Sequence, residues 1–286
     1  MSPAFPILVC HTAGSAYDDL ARQVVRIASQ VAPVVEDVTA LRLPPSVEFH
    51  LVSRRGWIRR MRTYAEWIAR KDQVTYGSDF AGVKWLRRRF KAIKTSWLDI
   101  ASTVQAEHGP AQVLLCPVGL KHAGVYSNQA RLVEVIAREL CQVAQHHTSS
   151  DTLLGAVNTS VASRRGLAER ALRPVVQGHA AWCAEKVLAD RFGEHPRVGL
   201  TKPPSRRHAR RAGSAPCCQE RREADAGAGF VTQVLTGAGQ WPALDVGQFN
   251  DLFSAFSLMP SPAELAAPDR WRDRVQSAWD RDRSAR

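Results

Sequence analysis

The segment at 127–147, SNQARLVEVIARELCQVAQHH, constrains the fold most. Its apolar residues recur every three or four positions, so one face of a helix must be buried along its length. Ser127 is placed to cap it. The same spacing runs through SAYDDLARQVVRIASQV at 15–31. It recurs in RRGWIRRMRTYAEWIARK, where Trp57, Met61, Tyr64, Trp67 and Ile68 share a face. A YGSD turn at 76–79 introduces a long helix expected over about 80–107. Another helical stretch, from roughly Thr152 to Arg191, is broken near NTSVAS and at Pro174. READAGAGFVTQVLTGAG reads as a helix stopped at a glycine. Two short helices follow, one opened by Ser261 and Glu264 at capping-box spacing. Strand signals are few: SVEFHLVS at 46–53 alternates, and AQVLLCPVG at 111–119 is a short apolar run ending in a breaker. The fold class expected is mainly α with a few short strands.

A chain of 286 residues with eight Trp, nine Phe and four Tyr can bury a substantial core. No apolar run is long enough to cross a bilayer, and the N-terminal MSPAFPILVCHTAGS lacks the basic and apolar regions of a secretory signal. Six irregularly spaced cysteines then point to reduced thiols, and the expected location is cytoplasmic, with no membrane partner. The net charge of +12 is concentrated. Residues 195–222 hold eight Lys/Arg against one Glu and, being rich in Pro, Ser and Gly, read as a mobile basic loop. KWLRRRFKAIK at 84–94 holds six more basic residues. Such clusters attract anions, but no nucleic-acid fold signature accompanies them, so nucleic acid is not the expected partner.

Four pieces carry a family resemblance. They are VSRRGWIRRM at 52–61; LVEVIARELCQVAQ within the opening helix; PVVQGHAAWCAEKV at 174–187; and a C-terminal ordered set of Phe230, Val231, Asn250, Pro260, Glu264, Pro268 and Trp271. Together they resemble a mainly actinobacterial family of zincin-like metallopeptidases, hydrolases sometimes labelled as associated with deazaflavin-coenzyme biosynthesis. The likeness spans most of 50–275. It implies a zincin-like architecture, with an N-terminal helical segment at 1–45, a core at 46–194, the basic loop at 195–222, and a C-terminal helical part of the same domain at 223–286.

The resemblance also implies a zinc site, and here the chain departs from it. An H-E-x-x-H helix places two histidines one turn apart on one metal, with the glutamate as general base. A third ligand comes from the Glu of a Glu-Gly-His segment. In this chain those three ligand positions are Arg138, Gln142 and Gln177, and only Glu139, the base position, remains. Arginine has no lone pair to donate, and a neutral amide oxygen is a poor substitute for imidazole or carboxylate. No metal and no cofactor is therefore expected. The scaffold reads as a pseudoenzyme holding a small-molecule or protein ligand in the former cleft. The alternative is a metal-free enzyme acting on a small molecule, for instance in specialised biosynthesis. On that reading Glu139 and His179 are the candidate acid–base groups, and Arg138, Gln142, Gln177 and Cys141 the candidate binding groups. Cys141, His179 and Cys183 could instead form a soft metal site, a Cys–His nucleophilic pair, or simply buried core.

Overall fold

The computed structural model describes residues 6–77, 80–105, 110–163, 166–193, 202–237 and 241–284. In chain order the elements are β1 (Ile7–His11), α1 (Asp18–Thr39), β2 (Val47–Leu51), α2 (Arg54–Tyr76), α3 (Phe80–Ser96), β3 (Ala101–Gln105) and β4 (Ala111–Leu115). Then come α4 (Pro117–Ala123), α5 (Gln129–Thr148), α6 (Leu153–Val157), α7 (Leu172–Phe192), α8 (Arg206–Ala212), α9 (Ala215–Thr236), α10 (Val246–Ser254), α11 (Pro262–Leu265) and α12 (Pro268–Ser284). Helix dominates, and the four strands form one small mixed sheet in the order β1-β2-β4-β3. β1, β2 and β4 run parallel, which requires the helical crossovers that α1, α2 and α3 supply. β3 lies antiparallel at the edge, with Thr103 opposite Val113.

Strand alternation sends side chains to two cores. Val47, Phe49, Leu51, Val113 and Leu115 face the larger one, built with α1, α5, α7 and α9. Leu114 faces a smaller one under α2 and α3, where Trp57, Met61, Tyr64 and Ile68 are buried from the periodic face expected of them. Trp67 lies partly buried against that core. Helix α7 crosses α9 with backbone against backbone: a Cβ on Gly178 would stand 2.1 Å from the carbonyl carbon of Gly227, and one on Gly227 would stand 1.8 Å from the Pro174 oxygen. No other residue type fits this crossing without moving the helices.

Several local expectations need correction. The long helix over 80–107 stops at Ser96. After it, Ile100 takes φ 67° and the chain becomes strand β3, whose Ser102, Thr103 and Val104 suit a pleated surface. β1 has no counterpart in the expected strands. Asn128 takes the capping role expected of Ser127, accepting from Arg131 N at 3.0 Å. Pro174 does not break α7, because it lies in the first turn, where its N–H would have no intrahelical acceptor. Of the basic segment 195–222 read as a mobile loop, 195–201 lies outside the described residues, while 206–212 and everything from Ala215 on are helical. Ser205 caps α8, Pro216 occupies the first turn of α9, and the Ala/Arg-rich sequence between favours helix. α8 is docked as well: Arg211 makes a two-pronged contact with Asp99 at 3.0 Å per prong, and Arg207 lies over the Trp97 ring.

Candidate functional site

Helix α5 packs against the sheet edge at β3, and α7 packs beside α5. Where the three meet, a cleft of about 340 Å³ opens, a size suited to a small molecule. Its floor is Thr103 and Glu139. Arg138 and Gln142 come from α5, Gln177 and Arg173 from α7, and Arg89 reaches in from α3.

Glu139 keeps only 8% of its surface accessible. Thr103 Oγ1 donates a hydrogen bond to Oε2 at 2.6 Å, and the Thr103 backbone N–H also acts on the carboxyl, so one residue of β3 orients it. Burial pushes its pKa above the usual carboxylate value, against the opposing pull of Thr103 and of the Arg138 charge. The group is thus poised between acid and base forms nearer neutral pH than an exposed glutamate. The side chains of Arg138, Gln142 and Gln177 make no hydrogen bond or ion pair with any described residue, so the three positions that the resemblance assigns to metal ligands present unengaged polar groups to the cleft.

Of the six sequence-derived site residues, the structure brings Arg138, Glu139, Gln142 and Gln177 together and places Cys141 and His179 elsewhere. The reason is helical geometry. Cys141 follows Glu139 by two residues, and His179 follows Gln177 by two, so each pair is about 160° apart around its helix. Both second members point into the α5–α7 core. There Gln145 Nε2 donates to His179 Nδ1 at 2.9 Å and to the Val176 carbonyl at 3.2 Å, and Cys141 Sγ lies 3.7 Å from the same ring nitrogen. Trp182, Phe249 and Phe253 pack around the imidazole with centroids 5.3–5.5 Å away. Burial lowers the His179 pKa to about 3, and burial together with the Cys183 thiol raises Cys141 well above its ordinary value. A neutral imidazole beside a protonated thiol is neither an acid–base group for the cleft nor a thiolate nucleophile.

Zinc, implied by the family resemblance, does not fit the cleft. A guanidinium and two amides occupy the ligand positions. Among the described residues no group of three or more His, Cys, Asp or Glu side chains is placed to hold a metal ion. The same holds for Cys141, His179 and Cys183.

Three contributors escaped the sequence reading. Thr103 was hidden by the helix expected there. Arg89 belongs to the basic run at 84–94, whose other five members are exposed, and it alone of the six turns inward. Arg173 stands in the first turn of α7, directly before Pro174. Helical phase relative to the inward-facing Ile93 is the one signal that distinguishes Arg89 from its neighbours.

Comparison with known proteins gives a fold and little else. No protein-family profile matches the chain, and no curated protein does. A crystal structure from Chloroflexus aurantiacus, titled a "putative hydrolase with a novel fold", superimposes with a TM-score of 0.57 over 89% of each chain at 14% identity. The two share an overall fold. Among the described residues no helix is long and apolar enough to cross a membrane.

Proposed function

We propose that this chain is a zincin-type hydrolase homologue that no longer binds zinc and uses the former metal cleft to hold a small polar ligand. The observation that carries the reading is that the cleft is open and its polar groups are unspent. Arg138, Gln142 and Gln177 do not pair with one another or with Glu139 to close it. A scaffold relieved of all function in this cleft gains by filling it or pairing its charges, since unengaged polar groups at a half-enclosed surface contribute nothing to stability. Structural residues of the resembling segments support the ancestry: Gln145 bonds His179, Gly178 meets Gly227, and Ser261 and Glu264 form a reciprocal capping box. Asn250 Nδ2 donates to the Thr39 carbonyl, and Trp271 Nε1 to that of Leu258. The hydrolase title of the Chloroflexus structure is compatible with such a scaffold.

A second reading, catalysis without metal, is favoured by Glu139 itself. A carboxyl held by Thr103 on the cleft floor, with a raised pKa, can give or take a proton from a bound small molecule. Elemental mass spectrometry of purified, untagged protein tests the primary reading. Wild type is expected to hold far less than one equivalent of zinc, and near-stoichiometric zinc overturns it. For the second reading, Glu139→Gln is expected to abolish turnover of any substrate found while leaving its binding within about threefold; undiminished turnover removes Glu139 from the chemistry.

A further inference from the structure

We propose that the ligand of the cleft is an anion, bound through a phosphate or carboxylate group between Arg89 and Arg173 with Arg138 beside them. The proposal rests on the reading of the cleft as a ligand site and names the chemical class it takes.

The argument is one of charge. Four arginines and three carboxylates line the cleft, but the carboxylates are not distributed so as to neutralise the cations. Asp99 is committed to Arg211 by its paired 3.0 Å contacts. Glu139 is committed to Thr103, and burial disfavours its charged form. Glu220 is 51% exposed, and its carboxylate stands 3.7 Å from Arg173 Nη1, a loose pair largely screened by solvent. Arg138 makes no ion pair with any described residue, and Arg89 and Arg173 have only the solvent-exposed Glu220 and the already committed Asp99 to oppose their charge.

What holds two of them is neutral. Arg89 Nη2 donates to the Asn158 side-chain oxygen at 3.2 Å, and Arg173 Nη2 reaches the Val157 carbonyl at 3.5 Å. The bond to Asn158 steadies the Arg89 guanidinium without cancelling its charge and leaves most of its five N–H donors available. Burial and the nearby Arg173 charge lower the Arg89 pKa, only partly opposed by Glu220 and Asp99, yet an arginine does not give up its proton. Like charges gathered at a half-enclosed site destabilise the empty protein, and a bound anion offsets that repulsion with bidentate, charge-assisted hydrogen bonds. The surroundings point the same way. Lys91 and Lys94 on α3 and Arg207 and Arg210 on α8 are exposed on the two elements flanking the Trp97–Asp99 turn at the cleft's edge, a basic rim that steers anions inward. Gln142, Gln177 and Ser102 supply neutral donors and acceptors for the rest of the ligand.

The test is calorimetric titration of full-length protein with inorganic pyrophosphate and, separately, with citrate, beside wild-type titration with the neutral amide N-acetylglycinamide. The comparison includes Arg89→Gln, Arg173→Gln, Arg138→Gln and the rim control Lys94→Gln, each checked for wild-type far-UV circular dichroism. Expected is binding of at least one anion, weakened tenfold or more in Arg173→Gln and Arg138→Gln and unchanged in Lys94→Gln; which anion binds tells phosphate from carboxylate. Because Arg89→Gln could loosen α3, the other two variants decide the matter. Equal anion binding by all variants overturns the proposal, as does an anion lost in Lys94→Gln alone, which would assign the rim to a larger polyanion such as nucleic acid. Binding of the amide with no anion overturns it while leaving a ligand-binding cleft intact. Binding of none of the three overturns both.

Discussion

Helices α5 and α7 each present two faces, and the faces obey different rules. On one, Arg138, Glu139, Gln142 and Gln177 line an open cleft with little to hold them. On the other, Cys141, Gln145, His179 and Cys183 are sealed in the core, tied to one another and ringed by aromatic side chains. By residue type alone the second set has the more reactive chemistry, a thiol, an imidazole and a second thiol. Burial reverses that ranking: it holds the imidazole neutral and the thiol protonated, and leaves the chemically plainer glutamate as the group that can exchange a proton with a ligand.

If the rear face is structural and the front face is not, substitutions should separate them by size of effect. The largest is expected at the crossing behind both. Gly178→Ala drives a methyl into the Gly227 backbone and should cost about 3 kcal/mol or more, or prevent folding, as read by urea denaturation. Next is a pH effect. The His179 pKa lies at about 3 in the folded protein, below its unfolded value, so its stabilisation is present above that unfolded value and is lost as pH falls. Between pH 7 and pH 5 this amounts to roughly 2 kcal/mol. His146, lowered to about 4, acts in the same direction. His179→Asn keeps an acceptor for Gln145 and cannot titrate, so its stability should fall by about half as much over that interval; an unchanged slope would show that His179 is not buried neutral.

The front face should respond in the opposite sense. The Glu139 pKa is raised on folding, so the folded protein holds this proton longer than the unfolded chain does. Stability contributed below the ordinary carboxylate range is lost as pH rises through the folded value. Glu139→Gln should therefore melt at the same temperature as wild type, or higher, at pH 7. A lower melting temperature would mean the charged carboxylate is a structural partner. The smallest effect is expected for Arg138→Gln, within about 0.5 kcal/mol of wild type in ligand-free buffer.

Much of the fold was legible where periodicity was strong. The face of α2 carrying Trp57, Met61 and Ile68, the strand cores Val47–Leu51 and Ala111–Leu115, and the Ser261 capping box all follow from spacing or capping. What failed was contextual. β3 is five residues long and follows a helix whose pattern runs toward it, so only its pairing with β4 distinguishes it. The segment at 206–222 looked like loop because Pro, Ser and Gly were counted as breakers, whereas Ser205 and Ser214 begin helices. For the site, the four residues that the family resemblance assigned do line one cleft. Cys141 and His179 lie elsewhere because each sits about 160° around its helix from a cleft residue two positions before it. The tenancy of Arg89 and Arg173 depends on α3 and α7 meeting across the cleft, which no local pattern encodes.

The most direct test of the central proposal, that this cleft derives from a zinc-hydrolase site, is to install the ligands that the family resemblance implies. Arg138→His, Gln142→His and Gln177→Glu should be combined in one variant, and zinc binding by it and by wild type compared in equilibrium dialysis with elemental analysis. The account predicts about one equivalent of tightly bound zinc in the restored variant and essentially none in wild type. A correctly folded variant that binds no zinc, or a wild type that binds as much, would contradict it.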